Sequence, residues 1–194
     1  TLSIAFAQTD SYTLKLQSGE FTLSNNAEGL TNAKVAEWPA FNDQRFGVVR
    51  LGTYPTNEEW STLSEMGIKN LGYVPNRSFM VSIANGSDLN AINQYEVLAS
   101  SGYESDFKGV LDVDFAPERA KQDNEYLFNT HFFASINMNM ALASLRAAGA
   151  EVIQLEEKMG YALIKANAEE LASISNKPFI QYFDWNYHAG QPEN

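Results

Sequence analysis

The stretch Gly67 to Asn85, GIKNLGYVPNRSFMVSIAN, has a counterpart 82 positions later in Gly149 to Asn167, GAEVIQLEEKMGYALIKAN, and this recurrence restricts the fold more than any other property of the chain. Both segments start at a glycine, turn at matching points and end in Ala-Asn. The same offset carried outward pairs Phe46 with Phe128, Leu51 with Phe133, Tyr54 with Ile136, Leu63 with Leu145, Leu89 with Leu171 and Ile92 with Ile174. An unbroken register over that length predicts a duplicated structural unit. The period is too long for a solenoid repeat and suits two small domains in tandem.

With 194 residues the chain is long enough to bury a core in each copy. A formal net charge of -11 disfavours nucleic acid and anionic membrane surfaces, both of which need clustered Lys and Arg to displace counterions. The absence of cysteine removes disulfides, thiolate catalysis and Cys-rich zinc sites, and leaves the compartment open. No apolar run reaches membrane-spanning length. The opening TLSIAFAQ fits the end of a secretory signal peptide, with Ala5-Phe6-Ala7 before Gln8. Leu2, Ile4 and Phe6 also alternate as a short strand would, and the two readings stay open.

Along the chain, YTLKLQSGEFTLSNN predicts a strand or hairpin turning at Ser18-Gly19, on the edge of the first domain. RFGVVRLG then reads as a strand and TNEEWSTLSEMG as a helix, with Thr56 as N-cap and Gly67 as its stop. The opening hairpin follows, then a short helix from Ser87-Asp88 and a strand around DFKGVLDVDF. The second copy repeats this order, with helices in NMNMALASLRAAG and AEELASIS and a last strand in FIQYFDWNY. Strand, helix, strand, strand, helix, strand is the ferredoxin-like order. The expected fold class is therefore α+β: two tandem ferredoxin-like (βαββαβ) domains with antiparallel sheets. The expected boundaries are 1–43 for a signal-peptide remnant or N-terminal strand plus extension, 44–118 and 126–187 for the repeats, 119–125 for the linker and 188–194 for an extended tail.

The residues offer little catalytic chemistry. The two histidines, His131 and His188, have no G-x-S-x-G partner, and His131 reads as a structural strand residue. There is no metal-ligand spacing and no phosphate-binding loop, so neither metal nor cofactor is expected. The carboxylate pairs Glu58-Glu59, Glu156-Glu157 and Glu169-Glu170 fall at helix starts or in a hairpin turn, as solvated groups. An acyl-phosphatase-like chemistry on this fold would need an arginine in the loop after the first strand. GTYPTN and ASINMN both lack it. The excess is apolar: Phe179, Phe183 and Trp185 in the last strand and the aromatic first strand suggest sheet faces that pack together or dock on a partner.

The run RFGVVRLGTYPTNEEWSTLSEMGIKNLGYVPNRSFMVSI, with YTLKLQSGEFT before it and DFAPERAK after it, resembles the N-terminal propeptides of secreted subtilisin-like serine proteases, particularly the duplicated ones of Bacteroidetes-type enzymes. The likeness spans Tyr12 to about Lys121 and reaches Trp185 through the internal repeat. It implies a non-catalytic intramolecular chaperone and inhibitor, secreted to the extracellular space or periplasm. Its partner would be the subtilisin-like catalytic domain, in cis or after autocleavage. In such propeptides an open sheet face lies on two surface helices of the enzyme and the C-terminal tail runs through the active-site cleft. Carried onto this chain, the tail is His188, Ala189, Gly190, Gln191, Pro192, Glu193 and Asn194, and the docking face is Tyr161, Leu163, Phe179, Phe183 and Trp185 in the second copy. A free-standing secreted protease inhibitor, or a small-molecule-binding ferredoxin-fold protein, would be the alternatives.

Overall fold

The computed structural model describes residues 12–186 apart from 17, 110, 111 and 135. The twelve strands and five helices described make an α+β protein with two antiparallel sheets. The chain enters with strands β1 (Tyr12–Leu16) and β2 (Gly19–Asn25), a short helix α1 (Asn32–Ala36) and a two-residue strand β3 (Ala40–Phe41). The first repeat is then β4 (Gln44–Leu51), α2 (Asn57–Glu65), β5 (Ile68–Val74), β6 (Ser78–Ala84), α3 (Asn90–Asn93) and β7 (Val97–Gly102). After three short 3-10 turns, β8 (Lys121–Gln122) leads into the second repeat. That repeat is β9 (Glu125–Phe132), α4 (Met138–Ala147), β10 (Glu151–Glu156), β11 (Tyr161–Asn167), α5 (Ala168–Ser175) and β12 (Ile180–Trp185).

Helix starts follow from side chains that satisfy the first free amide groups. Thr56 accepts from Glu59 N while the Glu59 carboxylate accepts from Thr56 N, and Asn167 and Glu170 form the same reciprocal box on α5. Gly67 and Gly149 both end a helix with positive φ, +86° and +94°, so they occupy like positions.

The sheets share one strand order. The first runs β1-β2-β7-β4-β6-β5 with β3 also on β4, and the second runs β10-β11-β9-β12 with β8 also on β9. In both, the repeat's first strand lies between its third and fourth, and its second is at an edge. The sheets thus hold seven and five strands, because the N-terminal hairpin and the two short strands extend the repeats. In the first repeat α2 and α3 bury Trp60, Leu63 and Ile92 against Val49, Leu51, Ile68, Val81 and Ile83. In the second, Leu142, Leu145, Leu171 and Ile174 pack on Phe128, Ile164, Ala166 and Phe183. Each sheet is covered by its own helices on one face.

Two expectations need correction. The last strand of the first repeat is VLASSG, not DFKGVLDVDF, whose described residues form 3-10 turns at Ser105–Lys108 and Val113–Phe115. The small residues fit the crowding: a Cβ on Gly102 would lie 2.8 Å from Pro39 Cδ. Moreover, the offset is not constant. Gln44–Leu51 matches Glu125–Phe132 at 81, the terminal glycines match at 82, and Ser78–Ala84 matches Tyr161–Asn167 at 83. One residue in a strand reverses every side chain. Phe46, paired with Phe128 by the sequence offset, therefore packs with Leu14, Val48 and Phe133 on the face away from the helices, whereas Phe128 lies under them.

The region between the repeats joins the units instead of merely spacing them. The Tyr103 hydroxyl donates to Gln181 O at 2.6 Å, and the Lys108 ammonium donates to Ser175 O at 3.0 Å and Lys177 O at 2.8 Å. Phe133 stacks on Phe46 with ring centroids 5.7 Å apart, and Phe41 meets Phe179 at 4.4 Å. Among the described residues no helix is long and apolar enough to cross a membrane.

Candidate functional site

The two sheets treat their second faces differently. In the first, Phe46, Val48, Val74 and Ala99 are buried beneath Leu14 and Leu23 of the N-terminal hairpin, with Tyr103, Phe107 and Phe133 closing the side toward the second unit. Arg50 adds its guanidinium over the Tyr12 ring at 4.8 Å. The hairpin has therefore become a lid of the first sheet.

On the second sheet the equivalent face carries a polar row that crosses three adjacent strands. Tyr161 on β11 donates its hydroxyl to Asn129 Oδ1 on β9 at 2.9 Å, and Asn129 Nδ2 donates to Asp184 Oδ1 on β12 at 2.5 Å. His131, two residues along β9 and so on the same face, stacks on Tyr182 with centroids 4.0 Å apart and planes 8° apart. Its Nε2 lies 3.9 Å from Asp184 Oδ2, and the Tyr161 ring is 5.4 Å away on its other side. Pairing register explains the assembly: His131 stands opposite both Tyr161 and Tyr182, and Asn129 opposite both Leu163 and Asp184.

Partial burial holds the His131 imidazole below the ordinary histidine value, and the Asp184 carboxylate offsets part of that. His131 is accordingly neutral at neutral pH, and its contact with Asp184 is not then an ion pair. Burial foremost, and Asp184 after it, raises the Tyr161 and Tyr182 phenols, which stay protonated donors. Farther along the face Lys165 bridges Glu151 at 2.7 Å and Glu125 at 3.1 Å, and Gln154 Nε2 donates to Glu156 Oε1 at 3.0 Å. These groups recognise and hydrogen-bond. Among the described residues no group of three or more metal-binding side chains gathers, here or elsewhere.

Of the residues expected to form the docking face, Tyr161 and Leu163 lie on this half-exposed surface. Phe179, Phe183 and Trp185 do not: they are 0%, 6% and 7% exposed and belong to the core beneath α4 and α5. The reason is strand parity. A pairing irregularity between Ile180 and Tyr182 sets Tyr182 and Asp184 on the open face and turns Phe183 and Trp185 to the helices. The expected tail, His188 to Asn194, and the segment Thr1 to Ala7 lie outside the described residues. Asn129, His131, Tyr182 and Asp184 were missed as a set. The alternation Gln181, Tyr182, Phe183, Asp184, Trp185 was a legible signal for the last pair; the partnership of Asn129 with them needed the register.

A cleft of about 450 Å³ runs beside this face between the units, lined among others by Met80, Tyr103, Phe107, Tyr182 and Asp184. A family described as a domain of unknown function (DUF8729) has a model that matches residues 15–104, the N-terminal hairpin and the first repeat. No curated protein and no solved structure matches the chain.

Proposed function

We propose that this chain is the non-catalytic propeptide of a secreted subtilisin-like serine protease, built on two ferredoxin-like units, and that its second unit docks on the catalytic domain. The observation that carries the reading is the inequality of the two sheet faces. The first is sealed by the hairpin, and the second is left open and bears an ordered row of aromatic and polar side chains. Together with the sequence resemblance of Tyr12 to Lys121, this supports the second repeat as the docking copy. The strand order of each repeat, first strand between third and fourth, is compatible with the ferredoxin-like arrangement of such propeptides.

In this reading β12 delivers the chain from the docked sheet into residues His188 to Asn194, which would lie extended in the enzyme's cleft as an added strand. The domain supplies docking area and tethers the tail at high local concentration. The first test is the reading frame beyond Asn194: a subtilisin-like domain there supports a propeptide, and any other continuation removes it. The second is a titration of that catalytic domain with the chain while hydrolysis of a peptide substrate is followed. Stoichiometric inhibition is expected. Undiminished hydrolysis at saturating chain, with no complex on size exclusion, would refute the reading.

A further inference from the structure

The open face of the second sheet constrains what can cover it, because its hydrogen-bond donors are largely committed within the face and its carboxylates are only partly neutralised. Tyr161 gives its proton to Asn129, Asn129 gives one to Asp184, and Gln154 gives one to Glu156. Lys165 is shared between Glu125 and Glu151. Among the described residues, four carboxylates, from Glu125, Glu151, Glu156 and Asp184, thus share the face with one ammonium group. Asp184 is the one of these carboxylates that lies beside the His131–Tyr182 stack. Its side chain is 45% exposed, Oδ1 is taken by Asn129, and Oδ2 faces an imidazole 3.9 Å away that carries no charge at neutral pH. A partner that covered this carboxylate without supplying a cation would strip its water and leave the charge uncompensated, which disfavours association strongly.

Resting on the docking reading above, we infer that the surface received by the second sheet is basic, and that Asp184 selects it by binding an arginine or lysine side chain of the partner. Arginine suits the geometry better than lysine. Its planar guanidinium can pair with Asp184 Oδ2 while lying against the His131–Tyr182 stack, whose Tyr182 ring is 37% exposed. The remaining carboxylates add a longer-range field of the same sign, which steers a basic surface and repels an acidic one. Asp184 is on this account a specificity-determining residue of the docking face. Tyr161 and Asn129 act through it, by holding its carboxylate in place.

The test uses the full chain and, as probe, the subtilisin-like catalytic domain with its nucleophilic serine replaced by alanine, with binding followed by interferometry at low and high salt. Asp184→Asn is the informative variant, since its amide oxygen still accepts from Asn129 and thermal unfolding should be unchanged. Glu65→Gln, an exposed change on α2 of the first unit, is the control. Wild-type affinity should fall with salt; Asp184→Asn should bind at least tenfold more weakly with a shallower salt dependence, and Glu65→Gln should match wild type. Asp184→Asn within twofold of wild type, or salt-independent binding, overturns the inference and leaves docking standing. Failure of wild type to bind at any salt overturns the docking reading, and the inference falls with it.

Discussion

Lys108 offers the sharpest test of how the two units are joined. The residue is 1% exposed, yet its ammonium crosses from the first unit to two carbonyls at the C-terminal end of α5. Burial lowers its pKa from 10.5 to about 8, against a smaller opposing effect of Glu104. Tyr103 beside it is pushed up by burial and stays protonated. Replacement by methionine removes two charge-assisted hydrogen bonds worth about 1.5–3 kcal/mol each. It also removes the cost of the buried charge, about 3 kcal/mol from the lowered pKa. The residue is thus expected to stabilise by only about 0–3 kcal/mol at pH 7. The sign of the pH effect is set by linkage. With the folded pKa below the unfolded one, the unfolded chain holds more protons between about pH 8 and 10.5, so stability rises with pH across that window. Between pH 7 and 10 the wild type should gain about 2–3 kcal/mol relative to Lys108→Met. Urea unfolding of both proteins at both pH values measures it, and their difference cancels the titration of other lysines and tyrosines. A difference that stays constant within about 0.5 kcal/mol, or shrinks, would show that the folded protein does not disfavour the ammonium and that its pKa is not lowered.

Leu145, on the buried face of α4, is 0% exposed, and Leu145→Ala should destabilise the protein by about 2–5 kcal/mol in chemical denaturation. A Cβ on Gly47 would lie 2.3 Å from Trp38 Cε3, so Gly47→Ala must displace the indole and should cost about 1–3 kcal/mol, read as a lower Tm. If the chain is the proposed propeptide, ending it at Tyr187 should weaken blockade of the protease active site while leaving the complex on size exclusion intact. Equal inhibition by the full and shortened chains would show that the tail does not occlude the cleft.

Much of this architecture was legible because local rules act on few residues. Gly67 and Gly149 end helices through a conformation that glycine adopts freely, and Leu142 and Leu145 mark the buried stripe of an otherwise alanine-rich helix. What escaped depends on single-residue register. The repeat signal tolerates a drift from 81 to 83, but side-chain facing does not, so an alignment that finds the duplication misplaces Phe46 relative to Phe128. The same holds for the expected docking residues Phe183 and Trp185, whose size in an amphipathic strand marks the buried side. VLASSG is not legible as a strand because small residues carry no strand signature, although the smallness of Gly102 lets the chain pass beneath Pro39.

The divergence of the two faces follows from how each satisfies its side chains. Phe46, Val48, Val74 and the half-buried Met80 have nothing to offer water, and without the hairpin they would form an exposed apolar patch. The hairpin is tied there by β2 pairing with β7 through Ser24 and Asn25, and by Asn26 Nδ2 donating to Ser100 Oγ at 2.6 Å. On the second sheet the positions away from the helices include Tyr161, Asn129 and Asp184, which hydrogen-bond in a row, His131, which stacks on Tyr182, and Lys165, which bridges Glu125 and Glu151, and these side chains remain wettable. Such a surface is stable bare, so a partner can leave it without exposing a core. Reversible docking requires that property, since a face that must be covered to stay folded would hold its partner or aggregate once freed. The duplicated scaffold therefore contains one face covered by its own hairpin and one that stays wettable when bare. The exchange rests on whether the strand residues pointing away from the helices are Phe and Val or Asn, His and Asp.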